Sequence, residues 1–275
     1  MLPLLSWPVS SRRAITGVFT DIDDTLTTHG AITPDALQAL TDLKAAGLTV
    51  IAITGRPVGW GLPFASRWPL DALVAENGSV ALVATNPHSQ NTLQPSSTLH
   101  KPLSKLYQQD TATRIANRAA MQRVAEQVLR EVPSARLARD EGGRETDLAF
   151  DYAEFNQQPP EDVQRVLAVL QRTGMHTTMS SIHIHGCFGD FNKWLGARWI
   201  ARELLQRDLE AEIDRWVFVG DSGNDQVMFQ HCTHSVGVAN IARFADQLTH
   251  LPTYVTQGAR GAGFSEVASA LLAVR

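Results

Sequence analysis

The chain has 275 residues, 44% of them hydrophobic, and a formal net charge of −4. This length suffices for one large core or two smaller ones, and the weak negative charge argues against binding to nucleic acid or anionic lipid. The two cysteines, Cys187 and Cys232, lie far apart, which favours unpaired thiols in a reducing, cytoplasmic protein. No stretch approaches the length of a membrane span, and the mildly apolar residues 1–13 predict a loose N-terminal tail.

The first eighty residues alternate between apolar runs and a helical pattern. Thr33 is a suitable N-cap, Pro34 fits the first helical position, and Gly47 fits the position just after the helix. This alternation of strands and helices predicts a parallel sheet with right-handed crossovers. The predicted strands are residues 15–20, 48–53 and 72–75.

The pattern changes after residue 81, where a polar stretch rich in Thr, Ser, Asn, Gln and Pro extends to residue 109. The alternation that follows predicts a separate unit of helices on an antiparallel sheet. Its predicted elements are a helix at 111–131, a strand at 144–153, a helix at 160–173 and one half-exposed strand at 177–186.

After Gly189 the parallel pattern resumes. Its predicted elements are a helix at 191–206, strands at 216–220, 235–238 and 253–255, and a final helix at 265–273. We therefore predict an α/β protein with a Rossmann-like parallel-sheet core domain, formed by residues 14–83 and 189–275. An α+β domain, residues 84–188, is inserted into it at a loop, where insertions are tolerated.

Four polar motifs come directly after predicted strands or begin a predicted helix. Such strand ends meet at one edge of a parallel sheet, where ligands bind. Each motif alone is explained as well by a turn or a solvated helix, but all four in this order are not. The motifs are Asp21-Ile22-Asp23-Asp24-Thr25, Thr54-Gly55-Arg56, Lys193, and Gly220-Asp221-Ser222-Gly223-Asn224-Asp225.

These residue types suit phosphoryl transfer. A carboxylate such as Asp21 can attack phosphorus, and Asp23 can protonate the leaving oxygen and later deprotonate water. Mg²⁺ would relieve the repulsion between carboxylate and phosphate, with Asp21, Asp221 and the backbone carbonyl of Asp23 as oxygen ligands. The Thr54 hydroxyl and the Lys193 ammonium suit the equatorial phosphoryl oxygens.

The constellation resembles the haloacid dehalogenase superfamily of phosphatases over most of residues 15–84 and 188–270. The resemblance implies that Asp21 is the nucleophile, Asp23 the acid and base, and Thr54 with Gly55 and Lys193 the phosphate-binding residues. It also implies that Asp221 binds Mg²⁺ directly and that Asp225 does so directly or through water. Where the family's usual DxDGT motif has glycine, this chain has Asp24, which leaves the geometry of the turn open.

The position of the insertion resembles the members with an α+β cap at the second cap site, including Cof-type, sucrose-phosphate and mannosyl-phosphoglycerate phosphatases. A cap closes over the site and selects the substrate, which we expect to be a small phosphorylated metabolite such as a sugar phosphate. The motifs and the insertion offer further candidates for contact with substrate or for support of the site. They are Arg56, Asn77, Asn224, Arg144, His183 and His185, although a salt bridge or ordinary strand positions would explain the last three equally well.

Other functions remain open on the sequence alone. A phosphosugar mutase of the same superfamily would return the phosphoryl group to a sugar. A phosphoacceptor signalling module would keep it on Asp21, but such modules are shorter and carry no insertion. A dehalogenase needs no Mg²⁺, so Asp23, Asp221 and Asp225 argue against it.

Overall fold

The structure is a computed structural model that describes residues 1–84 and 102–275. Its helices are α1 Val9–Ala14, α2 Pro34–Ala45, α3 Val58–Ala65, α4 Thr111–Glu131, α5 Pro160–Arg172, α6 Lys193–Leu205, α7 Gln226–His231 and α8 Arg260–Leu272. Its strands are β1 Leu2–Pro3, β2 Gly17–Thr20, β3 Thr27–Thr28, β4 Ala31–Ile32, β5 Thr49–Ile53, β6 Ala72–Ala75, β7 Val80–Ala84, β8 Leu103–Tyr107, β9 Leu148–Asp151, β10 His176–Met179, β11 His183–Cys187, β12 Trp216–Gly220, β13 His234–Gly237 and β14 Tyr254–Val255.

Within the described residues, nine strands form one sheet in the order β1-β14-β13-β12-β2-β5-β6-β7-β8. The strands from β1 to β6 in this order pair in parallel, and β7 and β8 extend the sheet in antiparallel pairing. This confirms the predicted α/β class with a Rossmann-like, mainly parallel sheet. Among the helices of the described residues, none is both long enough and apolar enough to cross a membrane.

The central strands are buried on both faces because their apolar side chains alternate between two helical layers. Val18 of β2 packs in the core that contains Leu40 of α2 and Phe264 of α8. Its neighbour Phe19 points to the opposite face and packs in the core that contains Ile200 of α6. Nearly continuous apolar runs are expected where helices cover both faces of a parallel sheet. The carboxyl-end edge of the sheet is thereby held rigidly between two layers.

The smaller sheet has the antiparallel order β10-β11-β9 and packs with α4 and α5 around a core of its own. Val128, Phe150, Val166 and Ile184 are all fully buried in that core. The strand at Leu103–Tyr107 pairs instead with β7 of the large sheet. The division into domains at residues 84 and 188 stays a prediction, and residues 85–101 of the predicted insertion lie outside the described part of the chain.

The expectation of a loose N-terminal tail was wrong. Leu2 and Pro3 pair with Tyr254 and Val255 and so extend the edge of the large sheet. Trp7 is 1% exposed and stacks on Tyr254 with ring centroids 5.5 Å apart. Leu4 and Trp7 are buried in the core, and this burial stabilises the packed segment relative to a loose tail.

The single strand predicted at residues 177–186 was also wrong. It is a hairpin, in which β10 and β11 pair antiparallel, so Thr178 faces His185. Ser180 forms the turn: its backbone N–H donates to the His183 carbonyl, and its hydroxyl accepts from the His183 N–H. Serine hydroxyls favour turns in this way. The turn matters because it brings residues 180–182 over the edge of the large sheet.

Candidate active site

Three neighbouring strands of the large sheet end in polar residues of the predicted motifs. Asp21 follows β2, Thr54 follows β5, and Asp221 follows β12. β12, β2 and β5 are adjacent and parallel, so the three residues lie side by side at one edge. The Asp21 backbone N–H continues the ladder by donating to the Val219 carbonyl at 2.9 Å. The predicted meeting of the strand ends is therefore present.

Asp24 occupies the turn position at which the family's motif usually has glycine. It adopts a left-handed backbone conformation with φ of +56°, which glycine takes readily and aspartate tolerates. Arg260 Nε donates to its carboxylate at 2.7 Å, and Asn240 donates to its backbone carbonyl at 3.0 Å. These contacts hold Asp24 in the backbone conformation that glycine would adopt at this position. The aspartate therefore does not disturb the turn.

Lys193 lies at the centre of the site, fully buried at the first residue of α6. The side chain of Asn192 caps this helix by accepting from the Leu195 N–H at 2.9 Å. The Lys193 ammonium donates to Asp21 Oδ1 at 2.5 Å and to Asp225 Oδ1 at 2.6 Å. The two carboxylates raise the pKa of Lys193 although its burial opposes this. The amine therefore stays charged beside Asp21.

Asp225 is engaged on both carboxylate oxygens. Oδ1 accepts from Lys193, and Oδ2 accepts from the backbone N–H groups of Asp221 and Ser222 at 2.8 and 3.0 Å. Asp221 is anchored differently, because Asn240 Nδ2 donates to its Oδ2 at 2.7 Å. Asp225 thus fixes both the loop after β12 and the lysine, which makes it a positioning group as well as a candidate ligand.

Asp21, Asp221 and Asp225 are all buried, and they offer carboxylate oxygens that lie within 4.8 Å of one another. Burial raises the pKa of Asp21 to about 7 even though Lys193 opposes the shift. Burial and the charge of Asp21 raise the pKa of Asp221 well above its usual range. An oxygen-only donor set with this concentration of negative charge fits a hard divalent cation such as Mg²⁺.

Thr54, Gly55 and Arg56 form the second motif at the end of β5. Thr54 is fully buried, and its hydroxyl accepts from the Arg56 backbone N–H at 3.0 Å. The Arg56 guanidinium donates to both carboxylate oxygens of Asp23 and to Glu154 at 2.8 Å. Arg56 also pairs with Asp140 at 3.1 Å. Arg56 therefore joins Asp23, which follows a strand of the large sheet, to two residues of the predicted insertion at residues 84–188, here called the inserted region.

Asn77 and Asn224 meet across the site. Asn224 Nδ2 donates to Asn77 Oδ1 at 2.9 Å, and the Ser222 hydroxyl donates to Asn224 Oδ1 at 3.1 Å. Glu76 and Asn77 both adopt left-handed backbone conformations, with φ of +51° and +54°. Such strained pairs are found at sites where neighbouring contacts determine the backbone.

Glu76, which was not among the site residues selected from the sequence, supplies those contacts. Its buried carboxylate accepts from the backbone N–H groups of Val58, Glu145, Thr146 and Asp147, and from the Thr146 hydroxyl. The loop before β9 is thereby fastened to the turn that carries Asn77. An acidic residue next to Asn-Gly after a buried strand was the available signal, but it is equally typical of an ordinary turn.

Arg144, a candidate substrate contact, has its guanidinium turned away from the cavity between Asp21 and the hairpin. Its side chain is 1% exposed and donates to Asp147 at 2.8 Å and to the Gly55 carbonyl at 2.9 Å. It also pairs with Asp140 at 3.3 Å. Arg144 precedes β9 in a loop, and its position supports the backbone of the second motif from behind.

His183 and His185 lie on one face of β11, as their spacing predicts, and both are buried. His183 Nε2 lies 2.9 Å from Glu154, and His185 Nδ1 lies 3.1 Å from Asp147. The Glu154 and Asp147 carboxylates belong to other turns, so the sequence could not pair them with the histidines. Both imidazole rings line the same small cavity as Asp21 and Asp23.

That cavity is closed by the hairpin turn at residues 180–182. The space between the hairpin and the edge of the large sheet is about 10 Å³, roughly the room for one water molecule. The structure is therefore a closed form. A ligand larger than water does not fit in this space in the structure.

A family model described as haloacid dehalogenase-like hydrolase matches residues 18–181. No curated protein sequence matches the chain. Among solved structures, a Thermoplasma acidophilum protein aligns with a TM-score of 0.64 and 17% identity over 95% of this chain and 99% of its own. The sucrose-phosphatase of Synechocystis sp. PCC6803, solved with sucrose and phosphate, aligns with a TM-score of 0.64 and 16% identity. The alignment covers 94% of this chain and 98% of the phosphatase. The C-terminal domain of C. albicans trehalose-6-phosphate phosphatase aligns with a TM-score of 0.66 and 12% identity over the whole of both chains.

Proposed function

This chain belongs to the haloacid dehalogenase-like hydrolases, and we propose that it acts in that family as a phosphatase. The proposed reaction is Mg²⁺-dependent hydrolysis of a small phosphate monoester, through a phosphoryl group carried on Asp21. The observation that carries the proposal is the group of Asp21, Lys193, Asp221 and Asp225. It places a buried carboxylate, an ammonium and a set of oxygen ligands within direct contact of one another.

The residues fit the two steps of such a reaction. In the first step, an Asp21 carboxylate oxygen bonds to phosphorus and the bond to the leaving oxygen breaks. Asp23 gives that oxygen a proton, which requires that its carboxyl first leave the Arg56 guanidinium and become protonated. In the second step, Asp23 takes a proton from water, the water oxygen bonds to phosphorus, and Asp21 is released. The Lys193 ammonium, the Thr54 hydroxyl and the Gly55 backbone would bind phosphoryl oxygens.

Asp21 and Asp221 would hold Mg²⁺ together with the Asp23 carbonyl, and Asp225 would act directly or through water. Mg²⁺ bound there would offset the charge shared by the attacking carboxylate and the phosphate. Both carboxylate oxygens of Asp225 already accept hydrogen bonds, from Lys193 and from two backbone N–H groups, which favours binding to Mg²⁺ through water.

The substrate we propose is a small metabolite with hydroxyl groups, such as a sugar phosphate, which would bind between the large sheet and the hairpin when the two are further apart. Polar side chains line the cavity there, and two of the similar structures are named as phosphatases of sugar phosphates. Cys187 and Cys232 are buried and unpaired, which supports a reducing, cytoplasmic setting.

The test is phosphate release from a panel of phosphorylated metabolites and p-nitrophenyl phosphate, with Mg²⁺ and with chelator. We expect release that requires Mg²⁺ and is lost in Asp21→Asn. Asp246→Asn, at an exposed position, is the matched control and should behave as wild type. Release that is equal with and without chelator, or retained in Asp21→Asn, would contradict the proposal. Transfer of the phosphoryl group to a second sugar without phosphate release would indicate a mutase.

A further inference from the structure

His185 differs from the other charged or ionisable candidates of the inserted region in how its polar atoms are used. Arg144 donates to Asp147 and to the Gly55 carbonyl, and its Nε, which makes no hydrogen bond within the described residues, lies in an ion pair 3.5 Å from Glu141. His183 Nε2 is paired with Glu154. His185 uses Nδ1 for Asp147, but its Nε2 has no hydrogen-bond partner in residues 1–84 and 102–275. The side chain is only 3% exposed, so water outside the protein does not satisfy this atom.

The surroundings of His185 fix which nitrogen carries the proton. Burial raises the pKa of Asp147, but the carboxylate accepts from the Arg144 guanidinium at 2.8 Å, and this charged contact favours its ionised, accepting form. The hydrogen of a neutral imidazole therefore lies on Nδ1, and Nε2 presents a lone pair. Burial and the charge of Arg144 lower the pKa of His185 well below its usual range, which agrees with a neutral ring.

The lone pair lies close to the phosphate-binding motif. A methyl group added to Gly55 would lie 3.0 Å from His185 Nε2 and 3.4 Å from Asn77 Nδ2. Asn77 Nδ2 is also buried without a partner in the described part of the chain, because the Asn224 contact uses only Asn77 Oδ1. One unpaired acceptor and one unpaired donor thus converge beside Gly55, and a buried polar atom left unpaired is costly.

We infer that His185 is a specificity-determining residue, whose Nε2 accepts a hydrogen bond from a hydroxyl group of the substrate. A hydroxyl both donates and accepts, so Asn77 Nδ2 can donate to the same oxygen. A phosphoryl oxygen fits less well, because it has no hydrogen for the Nε2 lone pair. The inference rests on the proposed phosphatase function and narrows its substrate to monoesters that carry a hydroxyl near the phosphate.

The position of His185 on the hairpin explains how this contact would form. The closed cavity has room for about one water molecule, so substrate enters before the hairpin is in place. His185 then reaches the substrate as β11 returns, with its ring held by Asp147 and Arg144. An ester without the hydroxyl leaves Nε2 and Nδ2 unpaired in the closed form, and this lowers its rate of turnover.

The test uses two substitutions of similar size that separate the two ring nitrogens. In His185→Asn the side-chain amide can still reach Asp147, but nothing replaces Nε2. In His185→Gln the amide can reach the position of Nε2. His176→Asn, an exposed position on the paired strand β10, is the matched control. Each variant is assayed on the best sugar phosphate of the panel and on p-nitrophenyl phosphate, which has no hydroxyl beside its phosphate.

We expect His185→Asn to lower kcat/KM for the sugar phosphate about tenfold or more, because the hydroxyl loses its buried acceptor. The same variant should change kcat/KM for p-nitrophenyl phosphate by about twofold at most, and His185→Gln should recover part of the loss. Thermal unfolding of each variant shows whether the ring is needed for folding. If His185→Asn does not fold, the inference is tested by the ratio of kcat/KM for the sugar phosphate to kcat/KM for p-nitrophenyl phosphate in His185→Gln.

Equal losses on both substrates would overturn the inference and assign His185 to the phosphate or to the fold. Unchanged rates on both substrates in His185→Asn, which lacks Nε2, would overturn it as well and leave a bound water as the partner of Nε2. Phosphate release from p-nitrophenyl phosphate by the wild-type protein would support the proposed phosphatase function whatever the His185 variants show. If wild type releases phosphate from neither substrate, the proposed function itself fails and the inference fails with it.

Discussion

The two sides of the site differ in how their residues are brought together. On the side of the large sheet, Asp21, Thr54 and Asp221 follow adjacent parallel strands, and α6 brings Lys193 between them. On the side of the inserted region, Arg144, Glu154 and His185 come from two separate loops and a hairpin strand. The first side depends on a regular edge shared by parallel strands, and the second on turns that only the folded chain defines.

The charges differ in the same way. Lys193 bridges two carboxylates at the reacting edge, where a positive charge faces the expected phosphate. Arg144 is equally buried, but it bridges Asp147, Asp140 and the Gly55 carbonyl behind that edge. We infer that loss of a large-sheet residue removes chemistry, whereas loss of an inserted-region residue changes closure or substrate choice.

The largest effect is expected for Asp21→Asn. The amide is nearly the same size but cannot attack phosphorus, so kcat should fall roughly 10⁴-fold or more. The variant should still fold, since Lys193 keeps its pair with Asp225. Steady-state phosphate release measures the rate, and circular dichroism confirms the fold. Activity near that of wild type would remove Asp21 from the reaction.

Asp23→Asn should have the next largest effect. Loss of general acid and base catalysis typically costs about two to four powers of ten, and both steps should slow. The measurement is kcat for a substrate with an alcohol leaving group. Asp24→Asn is the matched neighbour: its carboxylate pairs with Arg260 and should matter far less. Equal losses at both positions would indicate that the turn, and not the acid, is being disturbed.

Lys193→Ala tests the buried charge at the centre of the site. Asp21 and Asp225 would lose their shared cation, so the free energy of unfolding should fall by about 3–5 kcal/mol, together with the loss of activity. Denaturant unfolding gives the change. The control is Lys105→Ala, whose pair with Glu145 is about one third exposed and should cost less than about 1 kcal/mol. A stability equal to that of wild type would mean that the carboxylates do not need this lysine.

The smallest effect is expected for Arg56→Lys, which tests the join between the two sides. Lysine keeps the charge but loses the paired donors that span Asp23 and Glu154, and the loss of about one net hydrogen bond costs about 1 kcal/mol. The expected result is a raised KM with a smaller change in kcat, because closure over the substrate is weakened. Arg198→Lys, at an exposed pair with Glu210, should change neither. A loss confined to kcat would place Arg56 in the chemistry instead.

The sequence predicted the large-sheet side well because strand ends, turn residues and helix starts follow local rules. The strand at Trp216–Gly220 matches its predicted bounds. The helix at Thr111–Glu131, which packs on the small sheet, matches its bounds too, because its pattern is equally local. The Ser180 turn was missed because alternation alone cannot distinguish one long strand from two short ones. Glu76, Glu154 and Asp147 were missed because each acts through a partner distant in the sequence. Their pairing depends on how the small sheet packs against the large one.

The most direct measurement is a search for the phosphoryl group on Asp21. Enzyme mixed with Mg²⁺ and substrate is quenched in acid during turnover, digested and analysed by mass spectrometry. The account predicts one phosphoryl group on the peptide that contains Asp21, absent from Asp21→Asn and more abundant in Asp23→Asn if the second step slows more than the first. Phosphate release from wild type with no phosphoryl group on this peptide, or with one on another residue, would contradict it.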